Sequence, residues 1–283
     1  LLERYGELPY AVAACLGGIW TAGLLSWILD ASGKPGLLAE FAERVSRDWG
    51  QWHGAHFLTR PESCKHVLEE LCLDAGVAVR LHTRVVGGAV QDRRIAHVLT
   101  ESKSGREAWA AAAFVDATGD GDLAALAGCG WAYGSPETGK AQPFSLVGLV
   151  VGPALEEVAD CVRKVSEARG LGNAKANLMA EFRRHGLEPS YHRPFMMHLG
   201  DDLYLVMWNH VYGVCAFDAN EVTEATLQAR SELHRLVKTL RGAGGRGRHL
   251  RLVATASQIG TREGRRIHGR YTLCADDVRS GAR

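Results

Sequence analysis

The apolar positions of this chain change period along its length, and each change marks an element. In the stretch 61–75, Val67, Leu68, Leu71 and Cys72 recur at helical spacing behind Pro61. Proline suits a first helical turn, where its missing N–H costs nothing, and Gly76 offers a left-handed stop. The spacing predicts a helix there, followed by a strand in "VAVRLH" (77–82). Helix, glycine stop and strand make half of a βαβ unit. A further helix is predicted over 37–48, and Leu1–Glu3 reads as the end of a buried strand. "RIAHVLTESKSGREAWAAAAFVDAT" (94–118) has two extended runs about a "SKSG" turn, which predicts a hairpin whose return strand runs on to Val115.

Beyond residue 150 the texture changes. Helical periodicity covers 154–169 and 174–185, a strand-like "LYLVMW" follows at 203–208, and a long helix is predicted over 222–240. "RGAGGRGRHLR" (241–251) reads as a flexible loop. No internal repeat is visible.

Composition narrows the class. At 283 residues and 46% apolar, the chain can bury a sizeable core. Thirty-three basic and 32 acidic residues leave a net charge of +1, which gives no general attraction to nucleic acid or to an anionic membrane. The longest apolar candidate, Ala11 to Leu29, is interrupted by Gly17, Gly18, Gly23 and Ser26, so no membrane span is expected. Glu3, Arg4 and Glu7 nearly cancel, so a signal peptide is not expected either. The seven cysteines are scattered and form no CxxC pair, which predicts reduced thiols in a cytoplasmic protein and no zinc site. The chain starts at "LLERYG" without a Met and ends just after a strand-like segment, so truncation at both ends is expected.

The most unusual stretch is "FVDATGDGDLAALAGCG" (114–130), where the apolar run 111–115 meets a turn dense in glycine and aspartate. Glycine marks a sharp bend or a close approach. One reading is a plain strand-to-helix turn capped by Asp120 or Asp122. A calcium loop is disfavoured, because Asp116, Asp120 and Asp122 lack the D-x-D-x-D-G spacing. A phosphatase-type aspartate nucleophile would sit closer to the strand end. The fourth reading is a turn whose bare backbone packs on a nucleotide cofactor.

"LLERYGEL", "PESCKHVLEELCLDAGVAVRLHTRV", "FVDATGDGDLAALAG", "VTEATLQAR" and "QIGTREGRRIHGRYTLCADD" together resemble FAD-dependent oxidoreductases of the heterodisulfide reductase A-like type. The resemblance implies an α/β chain: a Rossmann-like FAD/NAD(P)-binding domain with an inserted α+β substrate domain, incomplete at both termini. It implies a partial FAD-binding domain with a β-hairpin insertion at 1–145, a substrate or cap domain at 146–260, and a return segment toward the FAD domain at 261–283. Glu3, with Arg4 beside it, takes the acidic position that accepts hydrogen bonds from the adenosine ribose. Val85 offers backbone to the adenine edge. Asp116, Ala117, Thr118, Gly119 and Asp120 form the turn against the adenosine half of FAD. The family's GxGxxG phosphate loop would precede Leu1, and Pro9-Tyr10 stand where the family carries two glycines. Iron–sulfur clusters come only as a family association, since the cysteines lack ligating spacing.

The implied function is oxidation or reduction of a small organic substrate through FAD, with a possible electron-transfer partner. The alternative is a non-catalytic remnant of the same fold. The arginines of "GTREGRRIHGRY" weigh on this: Arg262, Arg265, Arg266 and Arg270 lie among Gly260, Gly264 and Gly269. Arg262 and Arg265 are the candidates for an anion-facing role, holding a substrate carboxylate or a flavin's developing charge. Strand alternation would turn Arg266 away from Arg265, and Glu263, Asp276 and Asp277 are candidate partners for an inward arginine. A nucleic-acid surface over 241–270 is the rival, weakened by Glu263 and the neutral balance of charge. His53 and His56 could pair on a helix face. His192, His198 and His210 fall in the presumed substrate half as possible proton donors.

Overall fold

The computed structural model describes residues 10–11 and 14–281. Glu3, Arg4 and Pro9 lie outside the described residues.

The larger core belongs to a four-stranded sheet. Its strands are β1 (Gly148–Val151), β2 (Phe195–His198), β3 (Leu203–Met207) and β4 (Arg251–Thr255). Their order is β2-β3-β1-β4, antiparallel throughout. Helix α1 (Ala219–Gly242) carries Ala225, Ala229, Leu233, Leu236, Val237 and Leu240 as its buried stripe. That stripe packs with Tyr204, Leu205, Val206 and Trp208 in one hydrophobic cluster. Asp218 caps the helix by accepting from the N–H groups of Asn220 and Glu221. At position 148 a Cβ would lie 3.2 Å from Leu252 Cδ1 and 3.4 Å from Leu233 Cδ1, so glycine leaves these leucines room to close on the strand. Beyond β3 the buried Asn209 bridges sheet and loop: its amide accepts from Leu146 N–H and donates to Leu146 C=O, both at 2.8 Å.

A second, smaller core lies under the helices Leu37–Ser46 and Pro61–Asp74, with Phe41, Val45, Phe57, Cys64 and Val67 buried. Pro61 stands in the first turn of its helix, as its chemistry favours. A hairpin, Gly50–His53 with His56–Thr59, covers this core. His53 and His56 therefore face each other across a hairpin register and do not share a helix face. The strand after Gly76 is short, Val79–Arg80, and pairs in parallel with Tyr10–Ala11. The predicted hairpin is present as Arg94–Ser102 with Gly105–Trp109, and Arg84–Gln91 joins it as a third antiparallel strand.

Two further expectations are corrected. The helix expected over 154–169 is broken into Leu155–Val158, a 3-10 turn at Ala159–Cys161, and Val165–Ala168. Val162 goes extended to bridge Met196, and Lys164 takes a positive φ of 71°, which no continuous helix allows. The apolar run 111–115 is not a strand: it has no ladder partner among the described residues, and Val115 is 89% exposed.

Candidate functional site

The glycine–aspartate turn is built from its own polar groups. Asp116 Oδ1 accepts from the Thr118 N–H at 3.1 Å and from the Thr118 hydroxyl at 2.7 Å. Its Oδ2 accepts from Ala124 N–H at 2.9 Å, and Thr118 Oγ1 accepts from Asp122 N–H at 2.8 Å. The helix Asp122–Leu126 is thus started by Asp116 and Thr118, while the residue at its N-cap is Gly121, with φ of 66°. Neither Asp120 nor Asp122 caps it through its side chain. Burial opposes ionisation of Asp116, but the bonds from Thr118 and Ala124 outweigh it and hold the carboxyl below the ordinary range. Asp120 is the reverse case. Burial, then repulsion from Asp122, pushes its carboxyl up, and Arg265 offsets only part of that.

The stretch 260–267, which opens the expected return segment 261–283 (hereafter the return segment), runs between this turn and the end of the large sheet. Arg265 reaches back to the turn, where Nη1 donates to Asp122 Oδ1 at 2.7 Å and to Asp120 C=O at 3.1 Å. Its guanidinium lies over the Phe217 ring at 4.3 Å and near Trp131 at 5.4 Å, with only 13% of the side chain exposed. Cation–π contact and an ion pair offset part of the desolvation of that charge, while Nε is buried with no hydrogen-bond partner among the described residues. Arg266 turns outward, to Glu263 and to Gly134 C=O. Arg265 and Arg266 therefore take opposite sides, as alternation predicts. Asp276 and Asp277 do not reach these arginines. Asp276 pairs with Arg279, and Asp277 accepts from Tyr271 and the Cys274 N–H.

Arg262 reaches the other way. Its Nε donates to Pro143 C=O at 3.0 Å, and Nη2 lies 3.1 Å from Ser145 Oγ and 3.0 Å from His210 Nε2. Ser145 is held at this spot by its bridge to Gly260, and the bridge from Phe144 to Val211 brings up the chain after β3. The His210 ring stacks on Tyr191, 3.8 Å between centroids, and the main-chain N–H of His210 donates to Ser190 Oγ. Burial first, then Arg262 and His192, drive the His210 imidazole down to about 4, so it is neutral near pH 7.

The structure thus gathers Asp116, Ala117, Thr118, Gly119, Asp120 and Arg265 on one side of the return segment and places Arg262 on the other. Val85 stands in the strand Arg84–Gln91, opposite Thr100. That strand leans on the helix after the turn, with Gly88 against Leu123 and Ala127. Sequence reasoning did not single out Ser145, Tyr191, Tyr212, Trp131 or Phe217. They come from segments far apart in the chain, and no local pattern connects them. A cavity of about 480 Å³ lined by Lys34, Glu43, Ser46 and Trp52 shares no residue with this site. Among the described residues no group of three or more His, Cys, Asp or Glu could hold a metal, and no helix is long and apolar enough to cross a membrane.

A family model for FAD dependent oxidoreductases matches residues 12–283, and the chain belongs to that family. The match is to the family as a whole and does not select its heterodisulfide reductase A-like branch. Among solved structures, the chain is similar to p-nitrophenol 4-monooxygenase from Pseudomonas putida, with 12% identity and a TM-score of 0.45, covering 93% of this chain and 68% of that one. It is similar to the myxobacterial chondrochloren halogenase, with 12% identity and a TM-score of 0.48, covering 94% and 66%. It is also similar to aklavinone-11 hydroxylase in complex with FAD and aklavinone, with 12% identity and a TM-score of 0.46, covering 95% and 56%. The chain spans 54% to 68% of the length of the first three such neighbours. No curated protein matches it.

The residues present can be tested against FAD. Gly119 has φ of 90°, and a Cβ built there meets no atom within 4 Å, so the turn presents bare backbone to open space. Ala117 and Thr118 are exposed beside it. That fits a flat group packing on main chain. Asp116 fits less directly, because its lone pairs are spent on Thr118 and Ala124. Its part is to shape the turn.

Proposed function

We propose that this chain forms part of an FAD-dependent oxidoreductase acting on a small organic substrate, with the return segment as the wall between cofactor side and substrate side. One observation carries the reading. The same eight-residue stretch reaches the glycine turn through Arg265 and the end of the substrate sheet through Arg262. The backbone of Ala117, Thr118 and Gly119 would hold the adenosine half of FAD, with Asp116 fixing the turn and Val85 beside it. Bound FAD supplies two-electron redox chemistry. The chain's residues orient and exclude water: Arg265, paired and covered by Phe217, keeps a positive charge facing the turn without opening it to solvent. Arg262 and His210 present a charged donor and a neutral imidazole at the sheet end. Free, scattered cysteines support a reducing compartment such as the cytoplasm.

The test is a flavin titration of the full-length protein. Gly119→Ala inserts a methyl group between backbone and cofactor, and FAD affinity should fall by about tenfold or more, equivalent to ~1.4 kcal/mol. Unchanged affinity in a variant with the same circular dichroism spectrum would remove the turn from the cofactor site.

A further inference from the structure

Arg169 and Arg184 each find a carboxylate, Glu156 and Glu181, but four cations of the same stretch do not. Among the described residues Arg163, Lys164, Lys175 and Arg193 form no ion pair, and no side-chain hydrogen bond holds them. The fold nevertheless gathers them. Val162 leaves the helical path to bridge Met196, and the Arg163 N–H donates to Met196 C=O at 2.8 Å. That sets Arg163 beside β2, with its guanidinium 5.8 Å from the Phe195 ring and 5.4 Å from the Trp27 ring. Lys175, in the first turn of the helix Ala174–Arg184, brings Nζ to 5.6 Å from the same Phe195 ring. Arg193 stands two residues before that ring, in the chain leading into β2. Lys164 follows Arg163 and lies close enough to His53, which packs on Trp27 at 5.6 Å, to oppose its protonation.

These charges act on one another. Burial first, then Arg163 and Arg193, pull the Lys175 ammonium below its ordinary range. Glu167, the acid that offsets part of this at both Lys175 and His53, is already bound to the main-chain N–H of Lys164. Repulsion within the cluster opposes folding, and two placements add to it. Lys175 sits at the positive end of a helix dipole, and Lys164 holds a φ of 71° that its side chain disfavours. A face that keeps four cations together under these conditions is complementary to a surface of opposite sign.

We propose that the face formed by Arg163, Lys164, Lys175 and Arg193 over Trp27 and Phe195 docks a partner protein through an acidic surface of that partner. Arg193 is exposed and the other three are half-buried. An acidic surface answers each cation with its own carboxylate, so no single small anion has to reach them all. Nucleic acid fits less well. Trp27 is 8% and Phe195 6% exposed, so the rings beneath the cations offer bases no stacking platform. The 33 basic and 32 acidic residues of the chain also give no excess of cations to extend the patch along a phosphate backbone.

The test titrates the full chain into fluorescein-labelled poly-L-glutamate, followed by fluorescence anisotropy, with labelled oligo(dT) and phosphatidylserine vesicles as the competing polyanions. No flavin enters the readout, so its result is separate from that of the FAD titration. Poly-L-glutamate should bind saturably at low salt, more tightly than oligo(dT) or the vesicles. Its binding should weaken at least about tenfold on going to about 0.15 M salt, where the screening length is about 8 Å. Arg193→Glu, at an exposed side chain with no partner to lose, should weaken binding at low salt by about tenfold. Lys175→Glu should do the same, and folding is not at stake there, since an acid is favoured at a helix N-terminus. Arg94→Glu makes the same change in net charge on the exposed start of the strand Arg94–Ser102 and should weaken binding far less. No saturable binding of poly-L-glutamate at low salt, tighter binding of oligo(dT) or of the vesicles, equal losses in Arg193→Glu and Arg94→Glu, or unchanged binding in Arg193→Glu and Lys175→Glu would each overturn the proposal.

Discussion

"LYLVMW" at 203–208 and the run 111–115 are comparably apolar in sequence, yet the chain treats them in opposite ways. In the first, Tyr204, Leu205, Val206 and Trp208 are all but inaccessible, clamped between β1, β2 and helix α1. In the second, Val115 is 89% exposed. An apolar run is a demand for cover, and cover is a tertiary matter. The sheet region meets its own demand, because α1 follows it in sequence and lays its stripe across it. The run before the glycine turn finds no such partner among the described residues. What orders the turn itself is polar: Asp116, Thr118 and the backbone they hold.

The largest effect that tests this contrast is a cavity in the sheet core. Leu233 is fully buried where α1 meets β1. Leu233→Ala should lower the unfolding free energy by about 2–5 kcal/mol, measured by denaturant titration. A cost under about 1 kcal/mol would mean that the helix does not seal the sheet as described.

A middle-sized effect probes how the two regions are joined. Gly121 has φ of 66°, and a Cβ there would lie 2.8 Å from Ile267 Cδ1 of the return segment. Gly119, with φ of 90°, would meet nothing. Alanine at either position carries left-handed strain of about 1–2 kcal/mol. Gly121→Ala adds overpacking of roughly another 1 kcal/mol, so it should melt distinctly lower than Gly119→Ala. Equal melting temperatures would argue that the return segment does not press on the turn, and the proposed wall between cofactor and substrate sides would be lost with it.

The difference between the regions also explains what could be read from the chain in advance. The helices Pro61–Asp74, Ala174–Arg184 and Ala219–Gly242 and the hairpin about "SKSG" announce themselves by period, capping residues and turn chemistry, all local signals. The break at Val162–Lys164 does not, because it is imposed by a bridge to Met196 more than thirty residues away. The site divides in the same manner. The turn 116–122 stands out through its composition. Arg262 and Arg265 draw notice by clustering, but their roles depend on His210, Phe217 and Asp122, up to 143 positions distant. Charge pattern alone could not tell an arginine with an acid partner from one without.

The smallest expected effect concerns the exposed run, and it is informative because it is small. A serine in place of Val115 gives up apolar surface that the described residues leave in water, so no transfer energy is lost. Stability of this 283-residue chain should change by no more than about 0.5 kcal/mol, as for surface positions generally. The same substitution should raise solubility, since a bare apolar segment invites association. A loss above about 1 kcal/mol in unfolding free energy would show Val115 to be covered. That result would bring the run 111–115 back to the buried strand that its sequence predicts, and the contrast with β3 would shrink to one of partners rather than of fate.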